Sequence, residues 1–158
     1  GFMKFSPSAG VGGHCIPVDP TYLAQAAEEY GVKAKFIELA NEVNLKMGPY
    51  VVNRIKSDNG GSLKGKEVQI IGVAYKPNVA DVRETPAEQI IEALRREQAK
   101  ISWHDPLVGE WHGEKSSQLG SEIGIVVTLH DVLNQENIIS KFNYVFDTTG
   151  KLANATQL

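Results

Sequence analysis

The apolar positions of this chain change period near its midpoint. Between residues 36 and 55, Phe36, Ala40, Val43, Met47, Val51 and Ile55 recur at steps of three and four, which marks one face of a helix. Gly48-Pro49 interrupts that stripe. Pro49 cannot donate to the Leu45 carbonyl, so the spacing predicts a kink, or a break with restart. A helix this long buries its stripe either in an intramolecular core or against a second copy of the chain, and the pattern leaves both open. Upstream, residues 1–19 carry turn chemistry and are expected to be a loop. Asp19-Pro20 reads as an N-cap followed by proline at the first helical position, opening a short helix over 21–30 that Gly31 ends.

Residues 57–62, Ser-Asp-Asn-Gly-Gly-Ser, read as a linker by composition, and the pattern then changes. Residues 67–72 read as a buried strand, with further strands over 100–103, 124–129 and 144–146. Thr85-Pro86-Ala87-Glu88 has the form of a full capping box. The helix it opens, over 86–98, shows Ala87, Ile90, Ile91 and Leu94 on one face and meets Gln98 where a glycine would cap it more cheaply. A short helix is expected at 131–133. Strands alternating with helices imply an α/β fold with a parallel sheet over 63–158, preceded by a helical segment over 1–62.

Composition narrows the function classes. A length of 158 residues suits one packed domain with an extra subdomain, and a net charge of −3 supplies no basic field for nucleic acid or an anionic membrane. The longest apolar runs, such as 123–129, are too short to span a bilayer. One cysteine cannot form an internal disulfide, which suits a reducing, cytoplasmic setting. The opening Gly1-Phe2-Met3-Lys4-Phe5 has neither a signal-peptide layout nor a usual initiator, so the chain is expected to be a fragment.

Cys15, the one cysteine, ends the run Gly10-Val11-Gly12-Gly13-His14-Cys15. A thiol after a glycine-rich turn, with Asp19 four residues on and a helix about to start, has the setting of a nucleophile. Gly10, Gly12 and Gly13 would let backbone N–H groups approach a reacting oxygen. A free cysteine is more often a small buried hydrophobe, and Asp19 serves equally as a helix cap, so the residues alone leave both roles open. His14-Cys15 lacks the ligand spacing of a metal site. A cysteine hydrolase would need a base, and none of the four histidines is convincingly placed. In the second half, Lys76 and Arg83 follow the carboxyl end of the first strand, where an anionic ligand docks on an open parallel sheet. They read equally as solvated loop charges. Only Gly72 is present there, so the dinucleotide fingerprint is absent. Asp105-Pro106 reads as a strand-ending turn without chemistry.

Taken together, these blocks resemble a known family. Residues 10–23, from Gly10-Val11-Gly12-Gly13-His14-Cys15 through Pro20-Thr21-Tyr22-Leu23, resemble the catalytic segment of the UDP-glucose/GDP-mannose dehydrogenase family. Bacterial members that oxidise UDP-N-acetylhexosamines look most similar. Gly72-Val73-Ala74-Tyr75-Lys76-Pro77-Asn78 and Asp81-Val82-Arg83-Glu84-Thr85-Pro86-Ala87 resemble the opening of that family's C-terminal domain, and Asp147-Thr148-Thr149-Gly150 resembles its close. The resemblance implies three parts: an N-terminal NAD-binding Rossmann domain absent from this chain, a helical middle domain used for homodimerisation, and a Rossmann-like sugar-nucleotide domain. It implies NAD-dependent oxidation of a UDP-sugar C6 alcohol to a carboxylate. Cys15 would trap the aldehyde as a thiohemiacetal that becomes a thioester, and Asp19 would assist proton transfer or water attack. Tyr75 and Lys76 would contact the sugar nucleotide, Arg83 the cofactor or the site, and the backbone of Gly10, Gly12 and Gly13 the sugar. Many relatives carry Gly-Pro where this chain has Ser8-Ala9, and an arginine where it has Thr149.

Overall fold

A computed structural model describes residues 6–158, so the first five residues of the expected opening loop lie outside the described residues. The elements run α1 (Asp19–Glu29), α2 (Lys35–Leu45), α3 (Met47–Asp58), β1 (Glu67–Ile71), α4 (Pro86–Arg96), β2 (Lys100–His104), β3 (Glu110–Trp111), β4 (Glu114–Lys115), β5 (Ser121–Val126), α5 (Gln135–Ser140), β6 (Phe142–Asp147) and β7 (Thr156–Gln157). Five strands form one sheet in the order β2-β1-β5-β6-β7, every pair parallel. Strands β3 and β4 form a separate antiparallel hairpin. The chain moves outward from β1 to β2, then returns to place β5 on the other side of β1. The order reverses at that point, and the crevice beyond the carboxyl ends of β1 and β5 is the ligand position of such sheets.

The expected long helix resolves as a break with restart at Lys46, whose N–H reaches the carbonyls of Glu42 and Val43 while its own carbonyl receives Tyr50 N–H. The two halves then have different fates. Val51, Val52 and Ile55 of α3 are buried in one core with Val68 and Ile70 of β1, Ile90 and Leu94 of α4, and Ile123 and Ile125 of β5. Phe36, Leu39 and Val43 of α2 stay exposed. Gly48 is the crossing point, because a Cβ there would stand 2.7 Å from the Gln89 backbone of α4. The helical segment therefore shares its core with the sheet through α3. Each fully buried isoleucine or leucine at this junction contributes about 1.5–3 kcal/mol.

Several local expectations are corrected. Asp19 is the first residue of α1 and not its cap; Val18 holds the cap position with no side-chain bond, and Pro20 falls second. The supposed linker begins later than composition suggests, since Ser57 and Asp58 belong to α3. Thr85 caps α4 by accepting the Ala87 N–H, but the Glu88 carboxylate bonds His112 and does not reach back, so the capping box is half made. Gln98 takes the left-handed conformation (φ 58°) that glycine would adopt more cheaply, and its N–H donates to the Arg95 carbonyl. The third strand runs 121–126 and not 124–129, because the chain turns at Val127 and Thr128 to meet the Ile71 carbonyl. The helix sought at 131–133 lies at 135–140, where Asn134 caps it through the Asn137 N–H.

Candidate functional site

The glycine-rich segment is held between two elements. On one side Val11 N–H donates to Asn44 Oδ1 of α2 at 2.7 Å, and on the other Gly13 N–H donates to the Arg83 carbonyl at 3.1 Å. The glycines allow this close approach. A Cβ on Gly12 would lie 2.7 Å from the Glu84 carbonyl oxygen and 2.8 Å from the Tyr75 Cβ, and one on Gly13 (φ 95°) would lie 2.9 Å from the Tyr75 ring. Gly10 has φ 147° and packs near Pro86 and Asn44. Because Gly13 N–H is already bonded, it is not a free donor for a reacting oxygen, and that expectation is corrected for Gly13 alone. Cys15 follows at once and is exposed, so it is not the buried hydrophobe its residue type suggested. Its carbonyl accepts Val18 and Asp19 N–H at 3.2 and 2.8 Å, which opens α1 and places the thiol and the exposed Asp19 at that helix start.

The facing wall is the segment after β1. Lys76 Nζ stands 5.3 Å from the centre of the Tyr75 ring and has no ion pair among the described residues. Arg83 grips Asp81 through Nε (3.0 and 3.1 Å) and Nη2 (2.6 Å). Those hydrogen bonds hold the Asp81 carboxyl at about 2. The same contacts raise the Arg83 guanidinium above its usual value, with the nearby Tyr75 hydroxyl and Cys15 thiol adding smaller shares. Two cations and one carboxylate thus line a wall that meets the cysteine segment, an arrangement suited to an anion. Gly12 and Gly13 meet Tyr75 and the backbone of Arg83 and Glu84 from a distant stretch of sequence, with Cys15 two residues beyond Gly13 and Lys76 over the Tyr75 ring, while Gly10 packs on Pro86 and Asn44. An apolar hollow of about 230 Å³ adjoins them, lined by Val11, Ile16, Pro17, Phe36, Ala40 and Asn44.

Beneath this wall lies a buried polar centre that sequence reading missed. The Asp105 carboxylate accepts N–H bonds from Val73 (2.8 Å), Ala74 (3.2 Å), Leu107 (2.9 Å) and Val108 (3.1 Å), and contacts His130 Nε2 at 3.1 Å. Burial alone pushes this carboxyl up, but the bonds from His130, Leu107 and Ala74 outweigh it and hold it below the ordinary value. His130 is fully buried, and its Nδ1 accepts the Asn78 N–H at 2.9 Å. Nδ1 is therefore the accepting nitrogen, and the proton on Nε2 is directed at Asp105. The dipeptide Asp105-Pro106, read as a bare turn, and His130, read as unplaced, are partners across the switch point. The signal in sequence was the position of each just past a strand end. Asp147, at the end of β6, similarly takes N–H bonds from Thr149, Lys151 and Leu152.

The turn after β1 does not fit a dinucleotide. The two amides that would cradle a pyrophosphate, those of Val73 and Ala74, are taken by the Asp105 carboxylate, and α4 starts only at Pro86. Among the described residues no cluster of three or more His, Cys, Asp or Glu could hold a metal ion, and no helix is long and apolar enough to cross a membrane. Another hollow, of about 560 Å³, lies elsewhere, beside α4 and β2 and lined by Trp103 and Trp111; it gathers none of the candidate residues.

Comparison with known proteins gives concordant matches. Residues 69–152 match the UDP-glucose/GDP-mannose dehydrogenase family, UDP binding domain, and residues 1–46 match the central domain of the same family. A UDP-N-acetyl-D-mannosamine dehydrogenase of Methanococcus vannielii is 36% identical over 131 residues, 80% of this chain and 30% of that protein. A UDP-glucose 6-dehydrogenase of Bacillus subtilis is 37% identical over 114 residues, 72% of this chain and 24% of that protein. The chain thus spans less than a third of the length of these curated relatives. The solved UDP-N-acetyl-mannosamine dehydrogenase of Staphylococcus aureus superposes with a TM-score of 0.69 at 27% identity, covering 99% of this chain and 37% of that one.

Proposed function

The chain belongs to the UDP-glucose/GDP-mannose dehydrogenase family, and on that premise we propose that it forms the cysteine-bearing and nucleotide-sugar-binding part of a UDP-sugar 6-dehydrogenase. The observation that carries this reading is the convergence of exposed Cys15 with Tyr75, Lys76 and Arg83 across the Gly12–Tyr75 contact. Lys76 meets the diphosphate as a charge-assisted donor, Tyr75 flanks the sugar nucleotide, and Arg83, held by Asp81, stands toward the cofactor side of the site. Gly12 and Gly13 let the cysteine segment pack directly on Tyr75 and Glu84, and in this reading the backbone of Gly10, Gly12 and Gly13 borders the sugar. The Cys15 sulfur, as thiolate, adds to the C6 aldehyde carbon, and the carbonyl oxygen takes up a proton to give the thiohemiacetal. Asp19, exposed at the start of α1, assists water attack when the later thioester is hydrolysed. The family's oxidation delivers hydride to NAD. This chain's own switch point is filled by Asp105, so no step of that transfer is assigned to its residues, and the chain alone is expected to produce no NADH with UDP-sugar.

A second reading, a binding and homodimerisation module without catalysis, is favoured by the uncovered apolar face of α2 at Phe36, Leu39 and Val43. Alkylation of Cys15 by iodoacetamide tests the first reading. The dehydrogenase reading expects a UDP-N-acetylhexosamine to slow alkylation about tenfold at saturation, because the sugar covers the thiol. The free hexosamine should leave the rate unchanged. Equal alkylation rates with and without bound UDP-sugar would leave only the module.

A further inference from the structure

The crevice at the switch point is closed by the protein's own groups. Asp105 presents a buried carboxylate, 2% exposed, to the Val73 and Ala74 amides. It occupies the place that open parallel sheets give to a ligand anion. His130 stands behind it and holds the Asn78 N–H, while Asn78 itself is kept at φ 64° by a two-bond bracket with Asp131 (Nδ2 to Oδ2 2.8 Å; Asp131 N–H to Oδ1 3.0 Å). Thr128 Oγ1 donates to the Ala74 carbonyl at 2.6 Å. From Asp105, His130 and Thr128, the bonds that reach the 73–78 segment end on its backbone. The Tyr75 side chain is left to pack on Gly12 and Gly13, and that of Lys76 is exposed.

We propose that Asp105 and His130 are a positioning pair that replaces a bound anion and sets the 73–78 segment through separate backbone bonds, Asp105 at the Val73 and Ala74 amides and His130 at the Asn78 amide, so that Tyr75 packs on the cysteine segment with Lys76 beside it. The inference rests on reading Tyr75 and Lys76 as nucleotide-sugar contacts. The pair touches no substrate and acts through backbone. Its effect extends to the cysteine side, because Tyr75 N–H bonds the Asp81 carbonyl (2.9 Å) and Gly13 N–H bonds the Arg83 carbonyl. A segment released at Asn78 is competent for only part of the time, and apparent affinity falls by that fraction.

The two imidazole nitrogens can be replaced separately. Asparagine at position 130 puts an amide oxygen near the place of Nδ1 and can accept from Asn78. Glutamine reaches the place of Nε2 with an amide nitrogen and can donate to Asp105. The test uses the 158-residue chain and its His130→Ala, His130→Asn and His130→Gln variants, titrated calorimetrically with UDP and followed by amide exchange. His130→Ala is expected to bind UDP about tenfold more weakly and to exchange faster at Asn78 and, across the contact, at Gly13. His130→Asn should restore both to within about threefold of the parent, and His130→Gln should restore neither. Unchanged UDP affinity and Gly13 exchange in His130→Ala would overturn the pair, as would equal impairment in all three variants. If the parent chain itself takes up no UDP, the nucleotide-sugar reading fails; Gly13 exchange then decides the pair alone, and no change there overturns it. Should His130→Ala not fold, the asparagine and glutamine variants decide between them: rescue by asparagine alone supports the pair, and equal behaviour of the two overturns it.

Discussion

Gly72→Ala is expected to destabilise the chain by at least about 3 kcal/mol, enough to shift a urea midpoint severely or abolish folding. Two independent costs meet at this residue. Its φ of 77° lies in the left-handed region, which costs an L side chain about 1–2 kcal/mol. A Cβ there would also stand 1.9 Å from the Thr128 carbonyl oxygen, with the Thr128 carbonyl carbon and Cα at 2.7 and 2.9 Å. These are backbone atoms just beyond the carboxyl end of β5, so they cannot swing aside. Gly60→Ala provides the control, since φ is 82° but nothing lies within 4 Å of the added methyl. It should cost only the conformational share, about 1–2 kcal/mol. Equal losses for the two variants would show that the close approach of β1 and β5 beyond their carboxyl ends is misdescribed.

Asp105→Ala is expected to cost about 3–5 kcal/mol, because it leaves four backbone N–H groups and the His130 Nε2–H without an acceptor in a buried setting. Asp105→Asn keeps the shape but turns one acceptor into a donor among donors, so it should lose a similar share. The pH dependence has a definite sign. The Asp105 carboxyl is depressed in the folded chain, so its contribution is fully present above the ordinary carboxylate value, about 4. It is lost as pH falls through the lower folded value. The difference in unfolding free energy between parent and Asp105→Ala should therefore shrink on acidification below pH about 4 and stay constant above it. Comparing the two chains removes the share of Asp81, whose carboxyl Arg83 also lowers. A difference that grows towards low pH would mean that Asp105 is protonated in the fold.

The alternation of strand and helix was legible because period and punctuation agree there. Ile70, Ile71, Ile123 and Ile125 announce buried parallel strands, and Pro86 with Thr85 announces the start of α4. Hairpin β3–β4 and β7 have two-residue strands, below the length at which any period shows. Asp19 misled because aspartate before proline is the common cap, whereas here the Asp19 N–H is already bonded to the Cys15 carbonyl as the helix begins. The site was half legible. Cys15, Tyr75, Lys76 and Arg83 stand in blocks whose spacing invites attention, but their contact runs through glycines 12 and 13, and no local pattern pairs those with Tyr75. Asp105 and His130 were invisible as partners. They are 25 residues apart, and only the reversal of strand order brings their two strand ends to one crevice.

The central claim is that one nucleotide-sugar site is built where the cysteine segment meets the Tyr75–Lys76 wall. Amide chemical-shift mapping of the 158-residue chain during a UDP titration tests it most directly. Shifts are expected at Gly12, Gly13, Cys15, Tyr75, Lys76 and Arg83, and Lys76→Ala should weaken the titration about tenfold. No shifts at millimolar UDP, or shifts centred on the Trp103–Trp111 hollow beside α4, would contradict it.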